Sequence, residues 1–152
     1  MRILTLVALW LHVVGIVVWL GGVVYQAHVL LPAARRGDTA TFADAARRQR
    51  PIGWTALSLV VLTGFYNVTR LGPLEHVMES GAGLLLAGKF ILVLIVVAIG
   101  AQRDFTHLVR LHLSLATNVD PTPALTAIVR LDRVTIVLGV VIIYLGLAIS
   151  RS

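Results

Sequence analysis

The chain has no cysteine, a single lysine, two methionines, and only 13 basic and 7 acidic side chains in 152 residues. The missing cysteine excludes disulfides, thiolate metal sites and iron–sulfur clusters held by this chain alone. With Met1 and Met78 as the only thioethers, a relay of soft ligands for copper(I) is thinly supplied. No nucleophile–base arrangement, phosphate loop or nucleic-acid motif is present, so hydrolytic chemistry has no support and no nucleic-acid partner is expected. What the chain has in quantity is apolar length: 58% of its residues are hydrophobic and its mean hydropathy is +0.91.

That composition belongs to an integral membrane protein. Hydrocarbon about 30 Å thick needs roughly 20 helical residues, and four blocks qualify, with expected spans at 3–31, 52–70, 82–102 and 131–150. The predicted fold class is therefore all-α: a polytopic four-transmembrane-helix bundle forming one domain over residues 1–152. The first block exceeds the roughly 7–15 residues of a signal-peptide core and is expected to remain as a helix.

The formal charge of +6 reads as topology. Arg35, Arg36, Arg47, Arg48 and Arg50 fall in one connection, and Arg103, Arg110, Arg130 and Arg133 in another, against Arg2, Arg70 and Arg151 on the opposite side. The positive-inside rule then places the arginine-rich connections in the cytoplasm and both termini outside, in a plasma membrane of the bacterial inner-membrane type. Arg130, Asp132 and Arg133 are expected to form interfacial ion pairs or to meet anionic lipid.

Within the first span, His12, Gly15, Trp19, Gly22 and Gln26 follow helical spacing. The glycines allow close approach by a helix or a flat ligand, so this stripe is expected to face the bundle interior. Helix 2 is expected to enter after Pro51 and end near Tyr66 and Asn67. Helix 3 is expected to run on beyond the membrane as an amphipathic segment through Leu111, and Asp120-Pro121-Thr122-Pro123 to start the last helix.

Lys89 is the sole charge between Gly81 and Ala101. A cation at membrane depth costs about 2.5–3.5 kcal/mol even on lenient scales, which marks it for a role. Depth arithmetic sets His12 and Lys89 each roughly 10–14 Å from the same face, with Tyr66, Asn67 and Tyr144 in the same half, as one polar pocket. His12 is either a helix-packing contact or an axial ligand to haem iron or copper. Lys89 either snorkels, pairs with a cofactor carboxylate, or becomes a ligand after deprotonation. His28 reads as an interfacial anchor. His107 and His112 are about 140° apart on a helix, which does not suit one metal, and they read as surface residues. His76 and Met78 form a weak copper-collecting candidate.

Taken in order, Leu11-His12, Trp19-Leu20-Gly21-Gly22, Leu62-Thr63-Gly64-Phe65-Tyr66-Asn67, Leu84-Leu85-Leu86 up to Lys89, Gly100-Ala101 and Asp132 before the last span resemble the copper-resistance D (CopD-like) four-helix membrane family. The chain also resembles, more distantly, the membrane protoporphyrinogen oxidases of bacterial haem synthesis, which carry a histidine in helix 1 and a lysine in helix 3. His12 and Lys89 match those positions, and the resemblance implies haem b there. At His28 the sequence departs from that group, where an arginine is expected.

Three functional classes follow. The first is a haem-b-binding redox protein, held by His12 and Lys89 with Trp19, Gly22, Tyr66, Asn67 and Tyr144 around them, exchanging electrons with quinone or a redox partner subunit. The second is a copper uptake or homeostasis protein, and the third a cofactor-free accessory subunit. The bilayer is the certain partner in all three, and a homo-oligomer is compatible with each.

Overall fold

The computed structural model describes residues 2–70 and 81–149. Four long helices carry the chain back and forth. Helix α1 spans Arg2–Arg35, α2 Thr39–Val68 and α4 Thr122–Ile149. Helix α3 consists of Gly81–Gln102, a wide π-helical turn at Arg103–His107, and Leu108–Ala116. All four are long and apolar enough to cross a membrane.

The helices run farther than the hydrocarbon requires. α2 begins at Thr39 and passes through Pro51 without ending. The expected start after Pro51 is thereby corrected: proline removes only its own N–H and one carbonyl partner, and an otherwise favourable run accommodates that loss. α1 likewise continues through Pro32, directly after a π-helical turn at Gln26–Leu30 that takes up the irregularity. The tight turns use residues that tolerate left-handed backbone, with Gly37 at φ +116° after α1 and Asn118 at φ 53° after α3. The amphipathic extension of α3 and the start of α4 behind Asp120-Pro121 both lie where the sequence pattern put them.

Two kinds of packing result. At the arginine-rich end, Phe42, Ala43, Ala46, Leu108, Leu111, Leu125 and Ile128 close into a core in which Leu111 and Ile128 are wholly buried. Along the spans, side chains such as Leu62, Leu84 and Leu94 point outward, where acyl chains cover them. Lipid is as apolar as leucine, so association there relies on small residues that let helices close up. Gly15 abuts Val60 and the Ala56 carbonyl, and Gly139 abuts Leu20 and Trp19. α1 packs chiefly on α2, and α3 on α4.

Inside the bundle each helix supplies one residue every seven positions, two turns or about 10.5 Å apart. The layer nearest the arginine-rich end holds Gln26, Gln49, Arg103 and Asp132, which hydrogen-bond together. The middle layer is Trp19, Ala56, Val96 and Gly139, and it is apolar. The third, toward the end where α1 begins and α4 finishes, is His12, Thr63, Lys89 and Gly146. A seven-residue repeat drifts only about 20° on a 3.6-residue helix, so each stripe stays on the interior face throughout.

Candidate functional site

The third layer is built around His12. Its Nδ1 lies 2.9 Å from Thr63 Oγ1, and that hydroxyl in turn donates to the Leu59 carbonyl at 2.6 Å. With its own proton spent on Leu59, the Thr63 oxygen accepts from His12. Nδ1 therefore carries the imidazole proton and Nε2 keeps its lone pair. A Cβ at Gly64 would stand 3.3 Å from His12 Cε1, so glycine there lets the ring lie flat against α2. Lys89 is close enough to act electrostatically on His12. Its Nζ rests on α4 where a Cβ at Gly146 would be 3.2 Å away. Among the described residues no carboxylate pairs with this ammonium.

The structure thus brings His12 and Lys89 into one layer and adds Thr63, Gly64 and Gly146 to them. Tyr66 lies about one turn farther along α2, where its hydroxyl accepts from Arg70 at 2.8 Å and interacts with Thr5. Asn67 is half-buried beside it. Tyr144 does not reach the pocket: it is 69% exposed, because Gly146 faces Lys89 and a residue two positions earlier is turned about 200° away. Trp19 belongs to the middle layer against Gly139, and Gly22 packs on the Gln49 side-chain amide nearer the arginine-rich end. His28 is exposed and bonds the Val24 carbonyl at 3.1 Å. His107 and His112 are half-buried rather than fully on the surface, and the His112 Nε2 is enclosed without a partner among the described residues. His76 and Met78 lie outside the described residues.

A second polar centre occupies the arginine-rich layer. Arg103 donates from Nε to Asp132 Oδ1 at 2.5 Å, from one terminal nitrogen to Asp104 Oδ1 at 2.7 Å, and from the other to Gln26. Gln26 donates to Gln49 at 2.6 Å, and Trp54 Nε1 to Asp104 Oδ2 at 2.9 Å. The expected interfacial pairing of Asp132 with Arg130 and Arg133 is overturned. Asp132 is 0% exposed and bound to Arg103, while both neighbours on α4 are exposed. One helix position turns a side chain about 100° and two positions about 200°, so neither Arg133 nor Arg130 shares the inward face of Asp132. Sequence pattern does not separate this centre, because Arg103 follows directly on an apolar span and groups by charge with the arginines of the connection. The available signal was the spacing of fourteen residues from His12 to Gln26 and from Lys89 to Arg103.

A family model described as copper resistance protein D matches residues 43–149, well over half of the chain. The chain belongs to the copper resistance protein D family. No curated protein and no solved structure gives a match. The part that matches the copper resistance protein D model includes Thr63, Lys89, Arg103 and Asp132, whereas His12 and Gln26 precede it. Among the described residues no three histidine, cysteine, aspartate or glutamate side chains come together as a metal-binding group. Family membership carries a relation to copper and no more.

Proposed function

We propose that this copper-resistance-type membrane protein binds haem b through His12 and takes part in membrane electron transfer, with quinone or a partner subunit as the exchanging species. The observation that carries the reading is the hydrogen-bond chain His12 Nδ1–Thr63 Oγ1–Leu59 O, which puts the ring proton on Nδ1 and leaves on Nε2 the lone pair that a metal centre takes. Metal-ligating histidines are commonly oriented in this way through their other ring nitrogen.

The donor set also bears on the choice of metal centre. A copper ion needs several protein ligands, and the layer offers one imidazole nitrogen. A haem brings four nitrogens of its own and would ask the protein for one further nitrogen and a counter-charge for its propionates. His12 would supply the first and Lys89 the second. The bound group would provide a one-electron couple. The chain's part is to fix the imidazole tautomer and to neutralise a carboxylate in a medium where charge is costly. In this reading the arginine-rich end faces the cytoplasm, which the positive-inside rule supports.

The test is the visible spectrum and metal content of protein purified in lipid nanodiscs. A Soret band lost in His12→Ala, and cofactor affinity lowered about 10–100-fold in Thr63→Val, are expected. Stoichiometric copper with no haem absorption would replace this reading with copper homeostasis, which the family relation favours. Neither metal, together with co-purifying subunits, would leave an accessory role.

A further inference from the structure

The four helices do not close evenly on one another. α1 packs on α2 and on α4, and α3 on α4, whereas among the described residues Gly81–Gln102 of α3 makes no comparable contact with α2. Aromatic side chains bridge this seam at two levels. Trp54 meets Phe105 with ring centroids 5.9 Å apart, and Phe65 meets Phe90 at 5.0 Å. From Trp54 to Phe65 the helix rises about 16 Å, roughly half of a hydrocarbon layer about 30 Å thick. Toward the arginine-rich end of the seam, Gly53, Trp54, Leu57, Val96 and Gly100 line a cavity of about 60 Å³ together with Arg50. A Cβ at Gly53 would meet nothing within 4 Å, and one at Gly100 only Trp54, at 3.9 Å.

A second observation concerns Arg50, which is half-buried at this cavity. Its guanidinium is stacked over the Phe105 ring, 4.6 Å from the centroid, and forms no ion pair among the described residues. The nearby carboxylates are engaged elsewhere. Both oxygens of Asp132 accept from Arg103, and those of Asp104 accept from Arg103 and Trp54. Arg47 and Arg48, just before it on α2, share Asp44 instead. A stacked guanidinium keeps its edge N–H groups free, in the planar fork that matches phosphate. Arginines outnumber aspartates at this end of the protein, which favours an anionic headgroup.

We propose that the α2–α3 seam binds one anionic phospholipid from the leaflet at the arginine-rich end. The headgroup phosphate sits on the free edge of Arg50, and one acyl chain runs along the seam toward Phe65 and Phe90. A cavity of this size holds a few water-sized groups, and methylenes of that chain fill it against Gly53, Leu57 and Gly100. The chain supplies the apolar contact that α2 and the spanning part of α3 do not make with each other, and so ties the α1–α2 pair to the α3–α4 pair. No bond is made or broken, and the site is independent of the haem reading.

The experiment is native mass spectrometry of the full-length, delipidated protein given dioleoylphosphatidylglycerol or dioleoylphosphatidylcholine as the probe. One phosphatidylglycerol per chain should survive activation that strips phosphatidylcholine. Arg50→Gln should lower that retention severalfold, while Arg48→Gln, an exposed residue that shares Asp44 with Arg47, should leave it unchanged. Gly53→Leu keeps Arg50 in place, fills the cavity, and should also lower retention severalfold. Equal retention of the two lipids overturns the proposal, as does an equal loss in Arg48→Gln and Arg50→Gln. Unchanged retention in Gly53→Leu overturns it too, and decides alone should Arg50→Gln fail to fold. A quinone or a second copy of the chain held at the seam in place of the phospholipid, and lost in the same variants, would likewise overturn it.

Discussion

His12 and Thr63 face each other across α1 and α2 at 2.9 Å, and fourteen residues along each helix Gln26 and Gln49 meet in the same way at 2.6 Å. The two helices therefore keep one register over about 21 Å. What separates these polar contacts is a stretch where small residues allow the backbones to close.

Gly22 tests that register. A methyl group there would collide with the Gln49 side-chain amide, whereas at Gly21 it would meet nothing within 4 Å. Gly22→Ala should displace Gln49, break its bond to Gln26 and cost about 1–3 kcal/mol, as overpacking does. Gly21→Ala should be neutral or slightly stabilising. Unfolding in mixed micelles compares the two, and equal effects would count against the register.

Arg103→Leu leaves Asp132 and Asp104 buried without their shared cation. Removing one member of a buried ion pair costs about 3–5 kcal/mol, so unfolding should occur at markedly lower denaturing-detergent fraction. Adding Asp132→Leu and Asp104→Leu should restore much of the loss. Failure of that rescue would show that Arg103 contributes through packing rather than charge.

Lys89→Met removes a cation that has no carboxylate partner among the described residues. The apoprotein should gain stability, by at most the roughly 2.5–3.5 kcal/mol that a charge at membrane depth costs. Cofactor retention should fall at the same time. Stability and cofactor occupancy measured on the same preparation separate the two effects. Unchanged occupancy would return Lys89 to a snorkelling role.

Asp120 supplies a pH dependence outside the spans. Hydrogen bonds from the Thr122 hydroxyl at 2.7 Å and the Thr122 backbone N–H at 3.0 Å hold its carboxyl below the usual aspartate range. A depressed folded-state pKa means that the unfolded chain binds the proton first. The contribution is therefore complete above the ordinary aspartate value and is lost as pH falls through the lowered one. Tm of the wild type should decline over that acid interval, and Asp120→Ala should show a lower Tm at neutral pH with a flatter acid limb. Parallel curves for the two proteins would refute this account.

Much of the fold follows from hydrophobic run length, because a helix must satisfy its own backbone in lipid and about 20 apolar residues suffice to cross. The Asp120-Pro121 start of α4 and the inward stripe of α1 were legible for equally local reasons. The stripe could be read because its glycines, tryptophan, histidine and glutamine interrupt an apolar background. In α3 and in the second half of α4 the background is leucine, isoleucine and valine on every side, and lipid-facing and core-facing positions look alike. Helical rotation there cannot be read from polarity, so Tyr144 was placed with the pocket while Gly146 occupies the position against Lys89.

The amino-acid sequence by itself determined that four helices cross a membrane, that charge gathers at one end, and that His12 and Lys89 lie at matching depth. Only the tertiary structure decided which faces meet. It joined Thr63 to His12, withdrew Tyr144, and moved Asp132 from the interface to the buried side of Arg103. The reason is that depth is additive along a helix, at about 1.5 Å per residue. Azimuth depends on partners far apart in the chain, such as Gln26 and Arg103 at a separation of 77 residues, and no local pattern encodes it.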